Sequence, residues 1–513
     1  MSLIKNKWLT FGLAIVLCLM AVAGCTNNGS QPPSETPDTT TPDTTAPDST
    51  VDAPLEPTPI QMMVMTLQDP PSMSNEYYTE LQKMTNTKLD IIWVPDADYN
   101  TRFDLVMASG DIPEVVVQGD YQRPTLVQGI NNGAFWDLTE FLGDFSKYPN
   151  LKNNSTPGSW KYATYNGKVM GIPRSRGFID LGIFMRKDWL EELNIPVPKT
   201  VDEFTDALRK IVAAKPGVIG TLDQPITNGD SMWASFGVFE PTYNSEGGMI
   251  RDFLTPQYEE LVEWFKMIYA EGLMPQEFTA LNTPARLDLL QTGRAAAYQQ
   301  SSYRTIGSTA ILKKTDPKGE LMVIPPLVGP KGHIGATLDA GTRGAFYISS
   351  KVPKEKVPDI LAYFEKTISE EVTYLSYHGK EGVHHTLVDG EPVLNDLGKE
   401  QIQVTALNPV APAFSKWAKV HAPSGTKEQN KAKEIEMAPF EEHGKVSPFR
   451  WVVSNTWNDT WPEYDATFQS NVVKTVIGQM SMEDLKKYLE GLRNDPKLKQ
   501  AFKEYAEDYK ARN

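Results

Sequence analysis

Short apolar runs alternate with helical repeats in the first part of the folded region, which starts near residue 60. The apolar runs at 60–66, 88–94 and 114–117 predict strands, and the segments at 75–85 and 99–109 predict helices between them. Because strands that alternate with helices form parallel β–α–β units, we expect an α/β fold. Ligands bind such sheets beyond the carboxyl ends of the strands, so functional residues are expected there.

Three later helices carry recognisable N-terminal caps. Thr200 with Glu203, and Ser481 with Asp484, have the spacing of capping boxes. Thr255 precedes a proline, which is a favoured first residue of a helix. Each cap is followed by apolar residues at helical spacing, so these three positions predict helix starts.

The N-terminus has the features of an export signal. Lys5 and Lys7 precede an apolar run at 9–22 that is too short to span a membrane, and small residues follow directly before Cys25. This arrangement resembles the bacterial lipobox. The resemblance implies that residues 1–24 are removed and that Cys25 is lipidated, with acyl chains such as palmitate holding the protein at the membrane.

A low-complexity segment follows the signal. Three near-copies of a five-residue unit lie at 36–40, 41–45 and 46–50, and each contains proline and aspartate. Such a segment has little to bury, and proline keeps it extended. We therefore expect residues 25–59 to form a disordered Thr/Pro/Asp tether between the lipid and the folded part.

Length and charge narrow the class of protein. The chain has 513 residues, which is too long for one ordinary core and suits two domains. Its formal net charge is −15, whereas nucleic-acid and polybasic membrane-surface proteins need a basic face. Six histidines and two cysteines exclude zinc fingers and disulfide scaffolds, and the mature chain has no free thiol once Cys25 is lipidated.

No catalytic or metal motif is apparent. A Gly-x-Ser-x-Gly elbow, a phosphate-binding Gly-rich loop and a His-Glu-x-x-His motif are missing from the sequence. His378, His384 and His385 lie close together, but glycines interrupt the segment, so we interpret them as solvated loop histidines. Asp96 and Asp98 imitate the start of an EF-hand and are interpreted as the acidic first turn of a helix. We expect no catalytic residue, no cofactor and no metal.

Several aromatic residues lie in polar surroundings. Trp233 follows Asn-Gly-Asp-Ser, Tyr303 follows Gln-Gln-Ser-Ser, and Trp417 lies between alanines and prolines. A pyranose ring stacks its apolar face on a flat aromatic ring while its hydroxyls form directional hydrogen bonds, so this pattern indicates carbohydrate binding. Core packing remains the alternative for each of these residues.

Several segments share one resemblance. They are ASGDIPEVVV at 108–117, YNGKVMGIPR at 165–174, RKDWL with VPKTVDEF within 186–204, MPQEF with GRAAA within 274–297, and VIGQMSM at 476–482. These segments resemble the bacterial extracellular solute-binding proteins of ABC importers, family 1. Within that family they are most similar to the large lipoproteins that deliver oligosaccharides, the LplA-like and alginate-binding type.

The resemblance implies a type II periplasmic-binding-protein-like fold with two lobes. Each lobe is a mostly parallel sheet flanked by helices, and the ligand cleft lies between them. We place the N-terminal lobe at 60–174 plus 340–410 and the C-terminal lobe at 175–339 plus 411–513. The resemblance further implies a monomer on the extracellular face of the cell membrane, which binds an oligosaccharide and passes it to the permease subunits of an ABC transporter.

One departure from the family concerns calcium. Several members carry a calcium loop after the helix that corresponds to the one starting at Thr200. Here residues 214–225 contain a single carboxylate, Asp223, so the ligands that calcium needs are missing. We predict no calcium at this position.

The expected ligand site combines turns from both lobes. Its predicted residues are Asp120, Tyr121, Arg174, Arg176, Ser231, Trp233, Ser301, Tyr303, Asp339 and Trp417. Trp233 is the first choice for a stacking platform, and Ser231 should open a helix whose free N–H groups meet ligand oxygens. Arg174 and Arg176 either favour a uronic acid, since arginine binds carboxylates in a bidentate manner, or pair with Asp180.

Two rival functions remain open at this point. A cell-surface glycan-degrading enzyme would need two carboxylates across a cleft, and Asp120 and Asp339 are candidates. Nothing in the sequence, however, marks either residue as a general acid with a raised pKa. A peptide receptor of the same fold is the second rival. A turnover assay distinguishes the first rival from an oligosaccharide receptor, and a binding screen distinguishes the second.

Overall fold

Two β-sheets organise the part of the chain that the computed structural model describes, which comprises residues 56–66, 69–226, 231–402, 407, 409–412, 414–422 and 425–512. The predicted signal peptide and Cys25 lie outside these residues, as does nearly all of the predicted tether.

The strands are β1 Thr58–Thr66, β2 Thr87–Pro95, β3 Val115–Gln118, β4 Thr164–Tyr165, β5 Lys168–Val169, β6 Ile172–Ser175, β7 Leu181–Arg186, β8 Ile219–Thr221, β9 Thr242–Tyr243, β10 Met249–Ile250, β11 Ala295–Ser301, β12 Leu321–Val323, β13 Thr342–Ile348, β14 His385–Val388 and β15 Glu391–Leu394.

The helices are α1 Glu76–Thr85, α2 Asp96–Ser109, α3 Pro124–Asn131, α4 Thr139–Leu142, α5 Pro149–Asn153, α6 Pro157–Tyr162, α7 Lys187–Glu192, α8 Val201–Ala214, α9 Ser231–Ser235, α10 Pro256–Ala270, α11 Thr283–Gln291, α12 Arg304–Thr315, α13 Val357–Thr367, α14 Glu370–His378, α15 Asp396–Gln401, α16 Lys427–His443, α17 Asn455–Thr460, α18 Pro462–Val476, α19 Met482–Asn494 and α20 Pro496–Arg512. Among the helices of the described residues, none is both long and apolar enough to cross a bilayer.

The first sheet has five strands in the order β2-β1-β3-β13-β6. β1 is parallel to β2 and β3, whereas β13 is antiparallel to β3 and β6. Strands β1, β2, β3 and β6 therefore point the same way, and their carboxyl ends meet at one edge. The predicted alternation of strands and helices is confirmed here, with ends that differ from the predictions by at most three residues.

The second sheet has four strands in the order β12-β7-β11-β8. β7 is antiparallel to its neighbours β11 and β12, and β11 is parallel to β8. The expected α/β class is confirmed in both halves of the molecule: in each sheet all strands but one point the same way, and the exception, β13 or β7, is antiparallel to both of its neighbours.

The predicted helix caps are present. The Thr200 hydroxyl accepts the N–H of Glu203 at 3.1 Å, and the Ser481 hydroxyl accepts the N–H of Asp484 at 3.0 Å. The reciprocal bond of the first capping box is shifted by one residue, because the Glu203 carboxylate accepts the N–H of Lys199. The Thr255 hydroxyl likewise accepts the N–H of Tyr258, the third residue of α10.

Each sheet is covered by helices on both faces. Along β1, Ile60, Met62 and Val64 face one apolar cluster with α1 and α13, and Met63 faces another with α2 and α3. The second sheet packs in the same manner against α8, α10 and the C-terminal helices on one side, and against α16 on the other. Below, "N-terminal lobe" and "C-terminal lobe" denote the elements packed on the first and second sheet; the predicted lobe boundaries stay a prediction.

Among the described residues, three connecting segments run between the lobes: residues 176–180 form the first passage, 324–341 the second, and the third includes 414–422. These passages touch one another. The N–H of Arg176 donates to the carbonyl of Gly341 at 2.8 Å, which joins the first passage to the second. Gly177 lies so close to the third passage that a Cβ there would come 3.0 Å from the Ser415 carbonyl oxygen. The Lys419 Nζ lies 3.2 Å from Asp180 and 2.5 Å from Asp339, so one side chain connects all three passages.

Candidate functional site

A cavity of about 940 Å³ lies at the edge where the parallel strands of the first sheet end. Residues at the ends of β1, β2, β3 and β6 and at the start of β13 form its floor, and turns and helices complete it. Its lining comprises Met65, Thr66, Asp69, Pro71, Ser72, Asn75, Tyr78, Trp93, Asp96, Tyr99, Asn100, Gln118, Gly119, Asp120, Arg174, Arg176, Arg343, Glu400, Gln401 and Pro409. The position agrees with the rule that open α/β sheets bind ligands beyond their strand ends.

Three nitrogen donors in the cavity wall have no hydrogen-bond partner among the described residues. They are the side-chain amide Nε2 of Gln118, the guanidinium Nε of Arg174 and the indole Nε1 of Trp93. Gln118 is 1% exposed and Arg174 is 7% exposed, so water does not readily substitute for the missing partner. Buried donors of this kind are costly unless a ligand supplies acceptors.

Three arginines are brought together by strand register. Thr342 of β13 pairs with Ser175 of β6, so Arg343 lies across from Arg174 and Arg176. Burial together with the nearby charge of Arg343 lowers the pKa of Arg174 to about 10. Burial lowers the pKa of Arg176 as well, and the charge of Arg174 adds a smaller effect in the same direction. The cavity therefore holds a concentrated positive charge on two adjacent strands.

Asp180 was the alternative partner expected for these arginines. It pairs instead with Lys419, as does Asp339. Burial raises the pKa of Asp339, but the adjacent Lys419 charge and its hydrogen bond outweigh burial and leave that pKa below its usual value. Both carboxylates therefore pair with Lys419 within the passages between the lobes, and not with the arginines.

Acidic residues line other parts of the cavity. Asp120 is exposed, its N–H donates to Gln118 Oε1, and its carboxylate accepts the N–H of Gln122. Asp96 lies in the first turn of α2 with Asp98, which confirms that the EF-hand-like residues are the acidic start of a helix. Carboxylates at these positions can accept hydrogen bonds from sugar hydroxyls.

Gln401 is held by a buried histidine. The Nδ1 of His384 accepts the N–H of Lys380 at 3.0 Å, so its Nε2–H donates to Gln401 Oε1 at 3.2 Å. The amide oxygen of Gln401 is thereby engaged, and its NH₂ group is the part left for a ligand. His384 and His385 are 0% exposed, so the interpretation of these residues as solvated loop histidines is wrong: His385 is the first residue of β14, and His384 directly precedes it.

Of the ten predicted ligand residues, three line the cavity: Asp120, Arg174 and Arg176. Tyr121 follows directly but points to the C-terminal lobe, where its hydroxyl donates to the Phe449 carbonyl at 2.8 Å.

Four other predicted residues, Ser301, Tyr303, Asp339 and Trp417, lie around the passages and outside the lining of this cavity. The N–H of Tyr303 donates to the Lys419 carbonyl, Asp339 pairs with the Lys419 ammonium, and Ser301 ends β11. Trp417 is half-buried, and the Lys416 ammonium lies 4.9 Å from its ring centre.

The expectation that Trp233 lies outside the core is wrong. Its side chain is 1% exposed and packs against Tyr258, with ring centres 5.1 Å apart, and against Phe239. The N–H of Ser231, expected to face ligand, donates to Gln299 Oε1 within the C-terminal lobe. The polar residues that made Trp233 look exposed, 228–230, lie outside the described residues.

The segment examined for calcium contains one carboxylate with protein partners. Asp223 accepts the N–H of Gln299 and the hydroxyl of Thr221, and burial raises its pKa. The described residues hold no cluster of three or more potential metal ligands. The absence of calcium here stays a prediction.

Sequence reasoning missed most of the aromatic and amide lining. Trp93 lies near the end of β2, and its ring meets the Tyr78 ring edge-on at 6.2 Å. Tyr99 and Asn100 come from the first turns of α2. For Trp93 the available signal was its position one residue before the end of the predicted strand at 88–94, whereas no strand was predicted near Arg343.

The chain is similar to known binding proteins. The sequence model of a family described as "Bacterial extracellular solute-binding protein" matches residues 66–369. The polygalacturonan/rhamnogalacturonan-binding protein YtcQ of Bacillus subtilis (strain 168) is 28% identical over 394 residues, which cover 74% of each chain. The lipoprotein LipO of the same strain is 26% identical over 407 residues, covering 75% of this chain and 74% of LipO.

Solved structures show the fold. An HMO-binding solute-binding protein associated with an ABC transporter, from Bifidobacterium longum infantis ATCC 15697, has a TM-score of 0.64 and 17% identity. The similarity covers 88% of this chain and 99% of that one. The two chains share the two-lobe architecture of solute-binding proteins.

Proposed function

Because the chain belongs to the family of bacterial extracellular solute-binding proteins, we propose that it captures an oligosaccharide in the cavity of its N-terminal lobe and delivers it to an ABC transporter. The observation that carries this proposal is the cavity itself. About 940 Å³ is room for more than one sugar ring, and the lining joins Trp93, Tyr78 and Tyr99 to amides and charges. Rings of this kind stack on sugars, and the polar groups take their hydroxyls.

The relatives support a polysaccharide-derived ligand. YtcQ is named as a binding protein for polygalacturonan and rhamnogalacturonan. The family and YtcQ are described as solute- or polysaccharide-binding proteins, which favours a receptor over a glycan-degrading enzyme. Ligand contacts from both lobes would favour a closed arrangement over an open one, and the three touching passages are where such a movement would pivot.

The anchoring that we propose depends on Cys25. The lipobox-like sequence before it and the lipoprotein name of LipO support lipidation, export and attachment at the outer face of the cell membrane. The segment 26–59 would then separate the cavity from the bilayer and leave the receptor, acting as a monomer, free to meet the permease subunits.

Isothermal titration calorimetry tests the proposal. Purified protein is titrated with oligosaccharide pools from partial hydrolysis of pectins, galactans and alginates, and with a peptide pool. We expect saturable binding of an oligosaccharide pool and no new reducing ends after prolonged incubation. Release of new reducing ends would favour the enzyme, and binding of peptides alone would favour the peptide receptor. Trp93→Ala should weaken sugar binding about tenfold, since a stacked ring contributes roughly 1–3 kcal/mol.

A further inference from the structure

Resting on the proposed function, we propose that the cavity selects acidic oligosaccharides and that Arg174, Arg343 and Gln118 form the subsite for a sugar carboxylate. Arg174 Nε and Gln118 Nε2 are unpaired donors at this wall, and two of the three subsite side chains, those of Arg174 and Arg343, are cationic. A carboxylate is an acceptor only, and it carries the opposite charge. A neutral hydroxyl would satisfy the donors but not the charge.

Arg174 is the centre of this subsite. Its Nε has no partner in the described chain, and the one hydrogen bond of its NH1 goes to the sulfur of Met65 at 3.7 Å, a weak acceptor. A guanidinium that is 7% exposed usually has a carboxylate partner. Asp180, the carboxylate that the sequence suggested as a partner for Arg174, is paired with Lys419. An anion supplied by the ligand would compensate this buried charge.

Arg343 and Gln118 adjoin Arg174 through the backbone. The hydroxyl of Thr342 donates to the carbonyl of Arg174 at 3.2 Å, which fixes the start of β13 beside β6. Gln118 ends β3, the neighbour of β13 on its other side, and its Nε2 is unpaired. Arg343 is exposed, so it can reach an incoming ligand and contribute before the sugar is buried.

Three acidic lining residues lie on other elements and suit the rest of the sugar, whereas the fourth, Asp120, follows β3 directly and donates its N–H to Gln118 Oε1. Asp96 belongs to α2, Asp69 to the turn after β1, and Glu400 to α15. Carboxylates accept hydroxyl hydrogens, whereas a ligand carboxylate placed against them would be repelled. The distribution of charge therefore orients a sugar with its carboxylate toward β6 and β13.

Calorimetry on chemically matched ligands tests this subsite. The acidic probe is an oligosaccharide pool from partly hydrolysed pectin and alginate, and the neutral probe is the same pool after carboxyl reduction, which keeps linkages and hydroxyls. We expect the acidic pool to bind at least about tenfold more tightly, because a charge-assisted hydrogen bond is stronger than a neutral one. Arg174→Met and Arg343→Gln should abolish that preference, whereas Arg209→Gln, on the exposed surface of α8, should keep it.

The outcomes separate this inference from the proposed function. Equal binding of the acidic and reduced pools, or binding of neutral oligosaccharides alone, would overturn the carboxylate subsite and leave an oligosaccharide receptor. Binding of no pool would contradict the proposed function itself. If Arg174→Met fails to fold, Arg343→Gln decides the matter, because the exposed Arg343 side chain is not part of the core. An unchanged preference in Arg343→Gln with wild-type folding would contradict its assigned role.

Discussion

Lys419 is a partly buried cation that holds three passages of the chain together. Burial disfavours its charge, but Asp339 and Asp180 outweigh that cost and raise its pKa above the usual value. Its side chain is 22% exposed, so the two ion pairs are only partly screened by solvent. An ion pair of this kind adds little net stability to the fold, but removing one partner lowers the stability strongly because the other charge is left unpaired.

Lys419→Met should therefore destabilise the fold by about 3 kcal/mol, because it leaves two partly buried carboxylates without their cation. Urea denaturation followed by circular dichroism measures the change. The double variant Lys419→Met/Asp339→Asn should recover part of the loss. A single variant as stable as the wild type would show that the triad contributes nothing to holding the passages together.

Trp233 and Trp93 show how far the sequence around a single residue predicts where its side chain lies. A polar sequence neighbourhood suggested that Trp233 lies in a binding site, yet its ring packs against Tyr258 and Phe239 in the core. Trp93 lies in a predicted apolar strand and was not among the predicted ligand residues, yet it lines the cavity. The difference depends on the tertiary arrangement: Trp93 lies near the carboxyl end of β2, whereas Trp233 lies in α9 and packs into the core of the C-terminal lobe.

Trp233→Ala should lower the stability of the protein by about 3–5 kcal/mol, the usual cost of removing a large aromatic side chain from a packed core. Trp233→Phe is the matched control and should lose much less, because it keeps most of the buried volume. Thermal unfolding of the three proteins compares them. If Trp233→Ala unfolds at the wild-type temperature but binds sugar poorly, the assignment of this residue to the core is wrong.

At the scale of secondary-structure elements, the first strands and the capped helices were predictable because their determinants are local. Apolar runs bounded by polar turns defined β1 to β3, and one hydroxyl with its neighbouring N–H defined the starts of α8 and α19. The pairing of β13 with β3 and β6 was beyond such reasoning. It joins residues more than 160 positions apart, and it is this pairing that brings Arg343 beside Arg174.

Three histidines, His378, His384 and His385, lie at the base of the β14–β15 hairpin. The Nδ1–H of His385 donates to the His378 carbonyl at 2.8 Å, and its Nε2 is hydrogen-bonded to the Tyr374 hydroxyl at 3.1 Å. Burial and the neighbouring His385 lower the pKa of His378, and the opposing effect of Glu391 is smaller. His378 is therefore neutral in the folded protein at pH values where the unfolded chain binds a proton.

The sign of the resulting pH dependence is fixed. With a folded pKa below the unfolded value of about 6.5, His378 makes no contribution above that pH and destabilises the fold as the pH falls below it. The unfolding temperature should thus drop more between pH 7.5 and 5.5 in the wild type than in His378→Gln. Parallel curves for the two proteins would contradict this account of the hairpin.

At the scale of the whole molecule, the family resemblance predicted the two-lobe fold, which the comparisons confirm. It did not predict how the lobes meet. Tyr121 and Gln122, after β3, donate to the carbonyls of Phe449 and Val452, and Arg512 near the C-terminus donates to the Lys161 carbonyl. The acceptors in these contacts are backbone carbonyls, which every residue has, so the sequence does not indicate which of them are used.

Cys25→Ser should release the protein from the membrane, because no lipid can then be attached to the residue after the signal. Fractionation of the producing cells measures this change, and the variant should appear in the soluble extracellular fraction. A Ser30→Ala variant in the tether is the matched control and should remain with the membrane. A Cys25→Ser protein that stays in the membrane fraction would contradict lipid anchoring at this residue.

The most direct test of the central claim is a crystal structure of the protein with the oligosaccharide pool that it binds. We predict sugar density in the cavity at the ends of β1, β2, β3 and β6, with a ring against Trp93 and a carboxylate within hydrogen-bond distance of Arg174 and Arg343. A sugar bound elsewhere, with this cavity unchanged and Trp93 and Arg174 untouched, would contradict the account.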